Sequence, residues 1–229
     1  MRKIICIILS IIMVFTPLLS DVKASAAYKV TLVGIQAVNH DHTSYYSSVS
    51  NHLTQMGYNS SEIQHSTDIS RSSFLDIMDE REIVVIRADA GITVDGAGNM
   101  ICTRMVLGTG YITSIDFENL SSNLSNAKIF ILGGCLTAKG GPSDSTVKNL
   151  IVQSNNKGVR VAIGFQDTVL CPGVNTWTEY FFWLLTGPSN VDQAAVGAVS
   201  HTRLTHWNLI ESGLNIESMR YRGEWYMTF

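Results

Sequence analysis

The stretch Ala127-Lys-Ile-Phe-Ile-Leu-Gly-Gly-Cys135-Leu-Thr-Ala138 decides the fold of this chain. Residues 128–132 form a short apolar run that predicts a buried β-strand, and two glycines separate this run from Cys135. Apolar strands of this kind are typical of parallel sheets, in which ligand-binding and catalytic groups follow the carboxyl ends of the strands. The pattern therefore predicts that Cys135 lies at the functional edge of an α/β sheet.

Two interpretations of Cys135 are open at this point. It is either a thiol displayed for chemistry or a small apolar residue buried at the end of a strand, which is a common place for cysteine. Gly133 and Gly134 permit close backbone approach and unusual dihedral angles, which a substrate groove or a sharp turn requires. The stretch by itself does not decide between the two.

Strands alternate with helices along the rest of the chain. Further strands are predicted over Tyr28–Ile35, Ile83–Arg87 and Val159–Phe165, and a hairpin over Thr93–Thr103. Helices are predicted over Asn175–Leu185 and from Val191 to about Leu204. This alternation predicts a three-layer αβα fold of the α/β class, in which a mostly parallel sheet is flanked by helices on both faces.

The first 26 residues have the pattern of a secretory signal peptide. Arg2 and Lys3 precede an apolar run from Ile4 to Leu19, and Ala24-Ser-Ala26 provides an A-x-A cleavage site. The pattern predicts cleavage near Ala26, secretion of the protein, and one domain over residues 27–229. An uncleaved membrane anchor is the alternative, although the apolar run is short for a spanning helix. No later stretch is long and apolar enough to cross a bilayer, so no membrane association is expected after cleavage.

The composition indicates which ligands are not expected. The formal net charge of the chain is −3 at pH 7, and this mild acidity gives no reason to expect nucleic acid or an anionic membrane as a partner. Asp95 and Asn99 lack the alternating acidic ligands of a calcium loop, so a hairpin turn is the preferred interpretation of this segment. We expect neither a metal ion nor a cofactor.

The cysteines leave one question open. Of the four in the chain, Cys6 lies in the predicted signal peptide, which leaves Cys102, Cys135 and Cys171. An odd number of cysteines in an exported protein requires at least one free thiol or an intermolecular bond. A disulfide between Cys102 and Cys171 that leaves Cys135 free is one possibility, which the sequence does not decide.

Three blocks of the chain resemble the caspase-like superfamily, which includes caspases, legumains, gingipains, clostripains and the bacterial CHAT domains. Ile83–Arg87 with its small-residue turn stands where the superfamily has a strand ending in His-Gly. Ala127–Ala138 stands where it has the strand that ends in its nucleophilic cysteine. Gly158–Val169 with Trp177–Leu185 is similar to the next strand and the helices beyond it. The blocks have the superfamily's order and span most of the chain after residue 26.

The resemblance implies a cysteine peptidase site that acts on a peptide or protein and needs no cofactor. In that superfamily a cysteine attacks the peptide carbonyl, a histidine takes the thiol proton, and backbone N–H groups stabilise the oxyanion. By position, Cys135 corresponds to the nucleophile. The backbone groups of Ala90, Gly91 and Gly134 correspond to the oxyanion site.

The histidine of this dyad has no counterpart at its usual position. Depending on how the turn after Arg87 is aligned, either Asp89 or Ala90 stands there. Transfer of a proton from a thiol to an imidazole is uphill by about 2.7 kcal/mol, whereas transfer to an ordinary carboxylate is uphill by roughly 6 kcal/mol. An anionic Asp89 also disfavours a nearby thiolate. We therefore predict that Cys135 is a weak nucleophile.

Two histidines near the first strand are candidates for a substitute base. His40 and His42 follow that strand, and parallel strands would bring them to the same sheet edge as Cys135. The alternatives are a solvated polar loop or, for His40-Asp41-His42, a metal site whose ligand spacing is unlike that of a standard zinc site.

Two charged residues are candidates for contacts with a substrate. Arg87 is expected to pair with Asp89, since a buried arginine needs a partner; the alternative is that its charge favours the Cys135 thiolate. Asp167 follows the strand after Cys135 and is either a residue of the first substrate subsite, as in superfamily members that cut after basic residues, or the cap of a turn.

Two functions remain after this reasoning. The first is a secreted caspase-like cysteine-peptidase-family protein of the gingipain or CHAT type, with Cys135 at the nucleophile position and a peptidase activity that is weak or lost. The alternative is a non-catalytic pseudopeptidase, a pseudoenzyme that keeps the groove as a binding module for a peptide or protein.

Overall fold

The structure of the protein is a computed structural model that describes residues 28–35, 41–141 and 148–229. The predicted signal peptide and His40 lie outside the described residues. No helix in the described ranges is both long and apolar enough to cross a membrane.

A six-stranded sheet forms the centre of the fold. In order across the sheet, its strands are β2 (Ile63–Ser66), β1 (Val30–Gly34), β3 (Ile83–Arg87), β7 (Ile129–Gly133), β8 (Val161–Phe165) and β9 (Met219–Gly223). Neighbouring strands are parallel except for β8 and β9, which pair antiparallel at one edge. The predicted mostly parallel sheet is therefore confirmed.

The inner strands are buried on both faces because their sequences are continuous apolar runs. Every residue of β1, β3, β7 and β8 is buried. Since successive side chains of a strand point to opposite faces, each strand divides its residues between two hydrophobic clusters. Ile129 and Ile131 belong to one cluster, and Phe130 and Leu132 belong to the other.

Helices cover both faces of the sheet and complete the predicted three layers. The cluster that contains Ile129 is covered by α1 (Tyr46–Gln55), α5 (Cys171–Leu185) and α6 (Val191–Thr205). The opposite cluster is covered by α2 (Arg71–Ile77), α3 (Ser114–Glu118) and α4 (Leu150–Asn156). Single-turn 3-10 helices occupy Ser60–Glu62, Met78–Glu80, Trp207–Leu209 and Ile216–Ser218.

A smaller antiparallel sheet follows β3 and consists of β4 (Ala90–Val94), β5 (Met100–Val106) and β6 (Tyr111–Thr113). The Asp95 carboxylate closes the turn between β4 and β5 by accepting hydrogen bonds from the backbone N–H groups of Ala97 and Asn99. The Asn99 side-chain amide donates to the same carboxylate and is the main reason why the pKa of Asp95 is lowered. The predicted hairpin is present and is longer than expected.

Helix α5 begins at Cys171, four residues before the predicted start at Asn175. Pro172 explains the difference, because the fixed φ angle and missing N–H of proline are compatible with the first turn of a helix. The additional turn brings Cys171 to the sheet edge at which β3 and β7 end.

Candidate active site

Cys135 lies two residues beyond the end of β7 and is partly buried. Its Sγ atom is 3.4 Å from the amide nitrogen of Val169 and 3.5 Å from the carbonyl oxygen of the same residue. The thiol therefore accepts a hydrogen bond from one backbone group and donates to the other. Val169 belongs to the segment between β8 and α5, so this segment holds the thiol in position.

Close packing explains the two glycines before Cys135. A Cβ atom on Gly133 would lie 2.7 Å from Cδ of Arg87, and one on Gly134 would lie 2.6 Å from the carbonyl oxygen of Ala88. Both separations are too short for carbon, so a side chain would push apart the ends of β3 and β7. Leu136, directly after Cys135, has a φ angle of +62°, which a non-glycine residue adopts only under constraint. Constrained backbone of this kind clusters at functional turns.

A cleft of about 180 Å³ opens beside Cys135. Its walls are formed by the segments that follow β3, β7 and β8. The lining residues are Arg87, Ala88, Asp89, Gly134, Cys135, Val169, Leu170 and Cys171. Within the part of the chain that the structure describes, the lining contains two thiols, one carboxylate and one guanidinium, but no imidazole.

Asp89 lies at the rim of this cleft and is close to the buried His42. Nε2 of His42 lies 3.8 Å from Oδ1 of Asp89. The two side chains differ in environment, because Asp89 is 55% exposed and His42 is only 1% exposed. His42 reaches this place from the segment between β1 and α1, as expected for residues that follow parallel strands at one sheet edge.

Arg87 is the last residue of β3 and is fully buried beneath the cleft. Its Nε donates to Oδ1 of Asn175 at 3.0 Å, and its Nη2 donates to the carbonyl oxygen of Cys171 at 3.4 Å. Burial lowers the pKa of Arg87. The predicted ion pair with Asp89 is wrong. The arginine turns under the sheet edge toward α5 and satisfies its donors with neutral oxygens, while Asp89 stays at the exposed rim.

Cys171 is the residue of this cleft that sequence reasoning missed. It lies at the first position of α5, and burial raises the pKa of its thiol, although the charge of Arg87 opposes this change. All three cysteines of the described residues carry free thiols, so the possible Cys102–Cys171 disulfide is not formed. Cys102 lies in β5 of the small sheet, opposite Thr93 of the antiparallel strand β4. Pro172 was the signal that could have moved the predicted helix start back to Cys171.

The other predicted site residues lie around the cleft. Ala90 and Gly91 begin β4 and pair with β5. The N–H group of Gly134 already donates to the Leu132 carbonyl at 2.9 Å. Asp167 is exposed after β8 and does not line the cleft; its carbonyl oxygen accepts a hydrogen bond from Leu136 at 3.2 Å. In the described ranges, no group of three or more histidine, cysteine or acidic side chains is arranged to hold a metal ion.

Solved structures of cysteine peptidases share this architecture. The complex of the pro- and mature domains of RgpB from Porphyromonas gingivalis matches with a TM-score of 0.63 and 9% identity, over 87% of this chain and 48% of the other. The Arg-specific cysteine proteinase gingipain R matches with a TM-score of 0.61 and 10% identity, over 87% and 46%. The chain has the caspase-like fold. It spans about half the length of these gingipain chains.

A further solved structure shares this fold with a lower TM-score. Separase in the separase–securin complex of Saccharomyces cerevisiae matches with a TM-score of 0.52 and 16% identity, over 85% of this chain and 12% of separase. No protein-family model matches the sequence, and no curated protein sequence matches it significantly. The likeness therefore lies in the caspase-like fold and not in overall sequence.

Proposed function

We propose that this protein is a secreted caspase-like protein whose Cys135 cleft receives a peptide segment and whose peptidase activity is weak or lost. The observation that carries the proposal is the exposed Asp89 carboxylate at the rim of the cleft, where the resemblance places the histidine of the dyad. A carboxylate becomes an adequate base for a thiol only where burial deprives its anion of water, and the Asp89 side chain is 55% exposed.

The remaining geometry supports binding in this cleft. The cleft is open to solvent. At Gly133 and Gly134 no side chain covers the backbone, so an extended peptide can approach it closely. Two of the solved structures with this fold are protein complexes: separase with securin, and the mature domain of RgpB with its pro-domain. These observations favour a peptide or protein as the ligand of this chain as well.

A second candidate is an active cysteine peptidase in which His42 is the base. Its support is the distance of 3.8 Å between Nε2 of His42 and Oδ1 of Asp89, because a carboxylate next to an imidazole can orient the ring and stabilise its protonated form. His42 is nevertheless buried and is not among the residues that line the cleft beside Cys135. This placement favours the first candidate.

Hydrolysis of a pool of fluorogenic peptides separates the two candidates. We expect the wild-type protein to hydrolyse the pool within about tenfold of the rate of Cys135→Ala, because a general base that contributes about 10²–10⁴-fold is missing. Cys102→Ala is the matched control, since Cys102 is buried in β5 outside the cleft. A rate that falls a hundredfold or more in Cys135→Ala, but not in Cys102→Ala, would establish an active peptidase and overturn the proposal. The same loss in His42→Ala would then support His42 as the base.

Asp89→His tests whether the base is the missing part of the site. We expect peptide hydrolysis and alkylation of Cys135 by a peptidyl chloromethyl ketone to increase by at least about tenfold, since an imidazole is a far better proton acceptor for a thiol than a carboxylate. Asp89→Asn is the control that removes the charge without adding a base. If Asp89→His and Asp89→Asn reacted at equal rates, the presence of aspartate instead of histidine at position 89 would not be what limits catalysis.

The export part of the proposal rests on the pattern of residues 1–26. Expression in a secreting bacterial host, followed by amino-terminal sequencing of the protein in the medium, is expected to give Ala27 as the first residue. Retention of Met1 in a cell-associated protein would contradict cleavage and secretion.

A further inference from the structure

Three adjoining depressions, which together we call the groove, lie in a row from the Cys135 cleft along α5. The cleft shares Cys171 with a second depression of about 470 Å³, which in turn shares Thr176 and Glu179 with a third depression of about 440 Å³. Trp183 lines the far end. Cys171, Asn175, Glu179 and Trp183 are spaced four residues apart, so they form a ridge of α5, inclined to the helix axis, that follows the floor of the groove.

The two walls of the groove come from opposite sides of this helix. One wall consists of α1 and the segment before it, which contribute Asp41, Ser44, Tyr45 and His52. The other wall consists of the end of α6 and the residue after it, which contribute His201, Thr205 and His206. A hydrogen bond of 2.8 Å between Nε2 of His206 and Oγ1 of Thr176 holds this second wall against the floor.

The length of the groove fits a short extended peptide. The helix rises about 1.5 Å per residue, so the floor from Cys171 to Trp183 is roughly 18 Å long. An extended chain rises about 3.3 Å per residue, so this length holds five or six residues of a peptide in the β conformation. An extended peptide of this length can therefore span the floor of the groove from Cys171 to Trp183.

The charge of the groove favours a basic ligand. Asp41 and Glu179 both line the second depression, and none of the described residues that line the second or third depression is a lysine or arginine. The side-chain hydroxyl and the backbone N–H of Thr43 both donate hydrogen bonds to Asp41. These bonds lower the pKa of Asp41 and keep its carboxylate ionised. Glu179 is exposed, and it takes part in none of the ion pairs formed among the described residues.

An aromatic group closes the far end of the groove. The ring of Tyr180 stacks in parallel on His201 with a centroid distance of 3.7 Å and lies 4.7 Å from the ring of Trp183. Trp183 remains 47% exposed. Exposed aromatic faces attract lysine and arginine side chains through cation–π interactions, so the aromatic end and the acidic centre of the groove select the same kind of side chain.

We infer that the groove along α5 binds an extended basic peptide, with a lysine or arginine side chain between Asp41 and Glu179. Glu179 lies about 12 Å along the helix from Cys171, so this basic residue is three or four positions from the peptide residue that contacts Cys171. The inference rests on the proposed function, because it assigns a ligand class to the same cleft and its extension.

Binding of fluorescein-labelled decapeptide pools to the purified protein tests this inference by fluorescence anisotropy. Three pools share an alanine–serine background and carry either lysine, glutamate or leucine at one scanned position. We expect the best lysine pool to bind at least about fivefold more tightly than the glutamate pool at the same position, with a smaller difference at high salt. Glu179→Lys should abolish or reverse this preference. Asp76→Lys, the same charge change on α2 at the opposite face of the sheet, should leave it unchanged.

The outcomes distinguish this inference from the proposed function. The pools could bind without a charge preference and be displaced by a peptidyl chloromethyl ketone attached to Cys135. This result would support the proposed function and overturn the inference that the groove selects basic peptides. A lysine preference that persists in Glu179→Lys would place the basic selectivity elsewhere and overturn it as well. If no pool bound at any position, both the peptide-binding function and the groove would be contradicted.

Discussion

The two edges of the central sheet differ in how their charged side chains are paired. At the edge where the parallel strands begin, basic residues are joined to carboxylates in the pairs Lys29–Glu62 at 2.8 Å, Lys128–Glu82 at 2.6 Å and Arg160–Glu224 at 2.6 Å. At the edge where the strands end, the hydrogen-bond partners of the buried Arg87 within the described ranges are all neutral. Asp89 lies exposed at the rim, with its carboxylate 3.8 Å from His42.

Under the proposed function, the edge with the paired charges serves stability and the edge with Arg87 and Asp89 serves binding. Ion pairs near the surface stabilise a fold only modestly, but they leave no charge uncompensated. A buried guanidinium without an anionic partner carries an unfavourable desolvation energy, and Asn175 and the Cys171 carbonyl compensate it only in part. Proteins tolerate such arrangements mainly at functional sites, where they reduce stability in return for activity. Changes at the two edges should therefore have different effects on unfolding.

The largest expected effect is at the glycine before Cys135. Gly134→Ala should lower the free energy of unfolding by about 2 kcal/mol, because its Cβ atom would lie 2.6 Å from the Ala88 carbonyl and 2.7 Å from Cβ of Ala90. Gly91→Ala is the matched control at the same edge, since no atom lies within 4 Å of its added Cβ. Chemical denaturation of both variants measures the difference. Equal stabilities would show that the ends of β3 and β7 separate easily and would weaken the interpretation of a constrained cleft.

The next effect has the opposite sign. Arg87→Met should leave the free energy of unfolding unchanged or raise it by up to about 2 kcal/mol, because a buried charge without a counter-charge is replaced by an apolar side chain of similar length. Lys128→Met at the other edge removes a basic residue from an ion pair and should lower stability by less than about 1 kcal/mol. If Arg87→Met instead lost more stability than Lys128→Met, Arg87 would be a structural residue and the contrast between the edges would fail.

The smallest effect is the dependence of stability on pH at the paired edge. Burial alone would raise the pKa of Glu82, but hydrogen bonds from Lys128 and Tyr58 hold it below its ordinary value. The hydrogen bond with Lys29 likewise lowers the pKa of Glu62. Because these values are lower in the folded chain than in the unfolded chain, their stabilisation is complete above the ordinary glutamate pKa of about 4.3 and is lost as the pH falls through the folded values.

Denaturation at pH values between about 6 and 3 measures this dependence, since stability should fall toward the acidic end. Glu82→Gln should show a shallower fall than the wild-type protein, because one of the carboxylates with a lowered pKa is removed. A salt concentration of about 0.5 M should reduce the slope further, as expected for partly exposed charges. An unchanged slope in Glu82→Gln would mean that its pairing with Lys128 contributes nothing to stability.

Most of the fold could be predicted from the sequence. The inner strands are buried on both faces, so their sequences are continuous apolar runs that need no knowledge of their neighbours. The edge strand β9 and the first turn of α5 are harder to predict, since an aromatic tail and a Leu-Cys-Pro segment are each compatible with several structures. The caspase-like fold agrees with the resemblance carried by three short blocks.

The candidate site could be predicted only in part. The apolar run and two glycines before Cys135 indicated a cysteine at the end of a central strand. The turn after β3 contains no histidine, where the resemblance to the superfamily would place one. The pairing of Arg87 with Asp89 was a reasonable local interpretation, but Asn175 and Cys171 are more than eighty residues away in the sequence and nearer in space. Sequence adjacency places two side chains within reach of each other, but it does not determine toward which layer each of them turns.

By itself, the sequence determined that a central strand of an α/β sheet ends in two glycines and Cys135, because burial and glycine geometry are local properties of a short segment. Only the tertiary structure decided what surrounds that thiol: Val169 holds it, Cys171 faces the same cleft, and His42 contacts Asp89. The physical reason is that these neighbours come from separate connections of a parallel sheet. Such connections meet at one edge only after every strand and helix has packed.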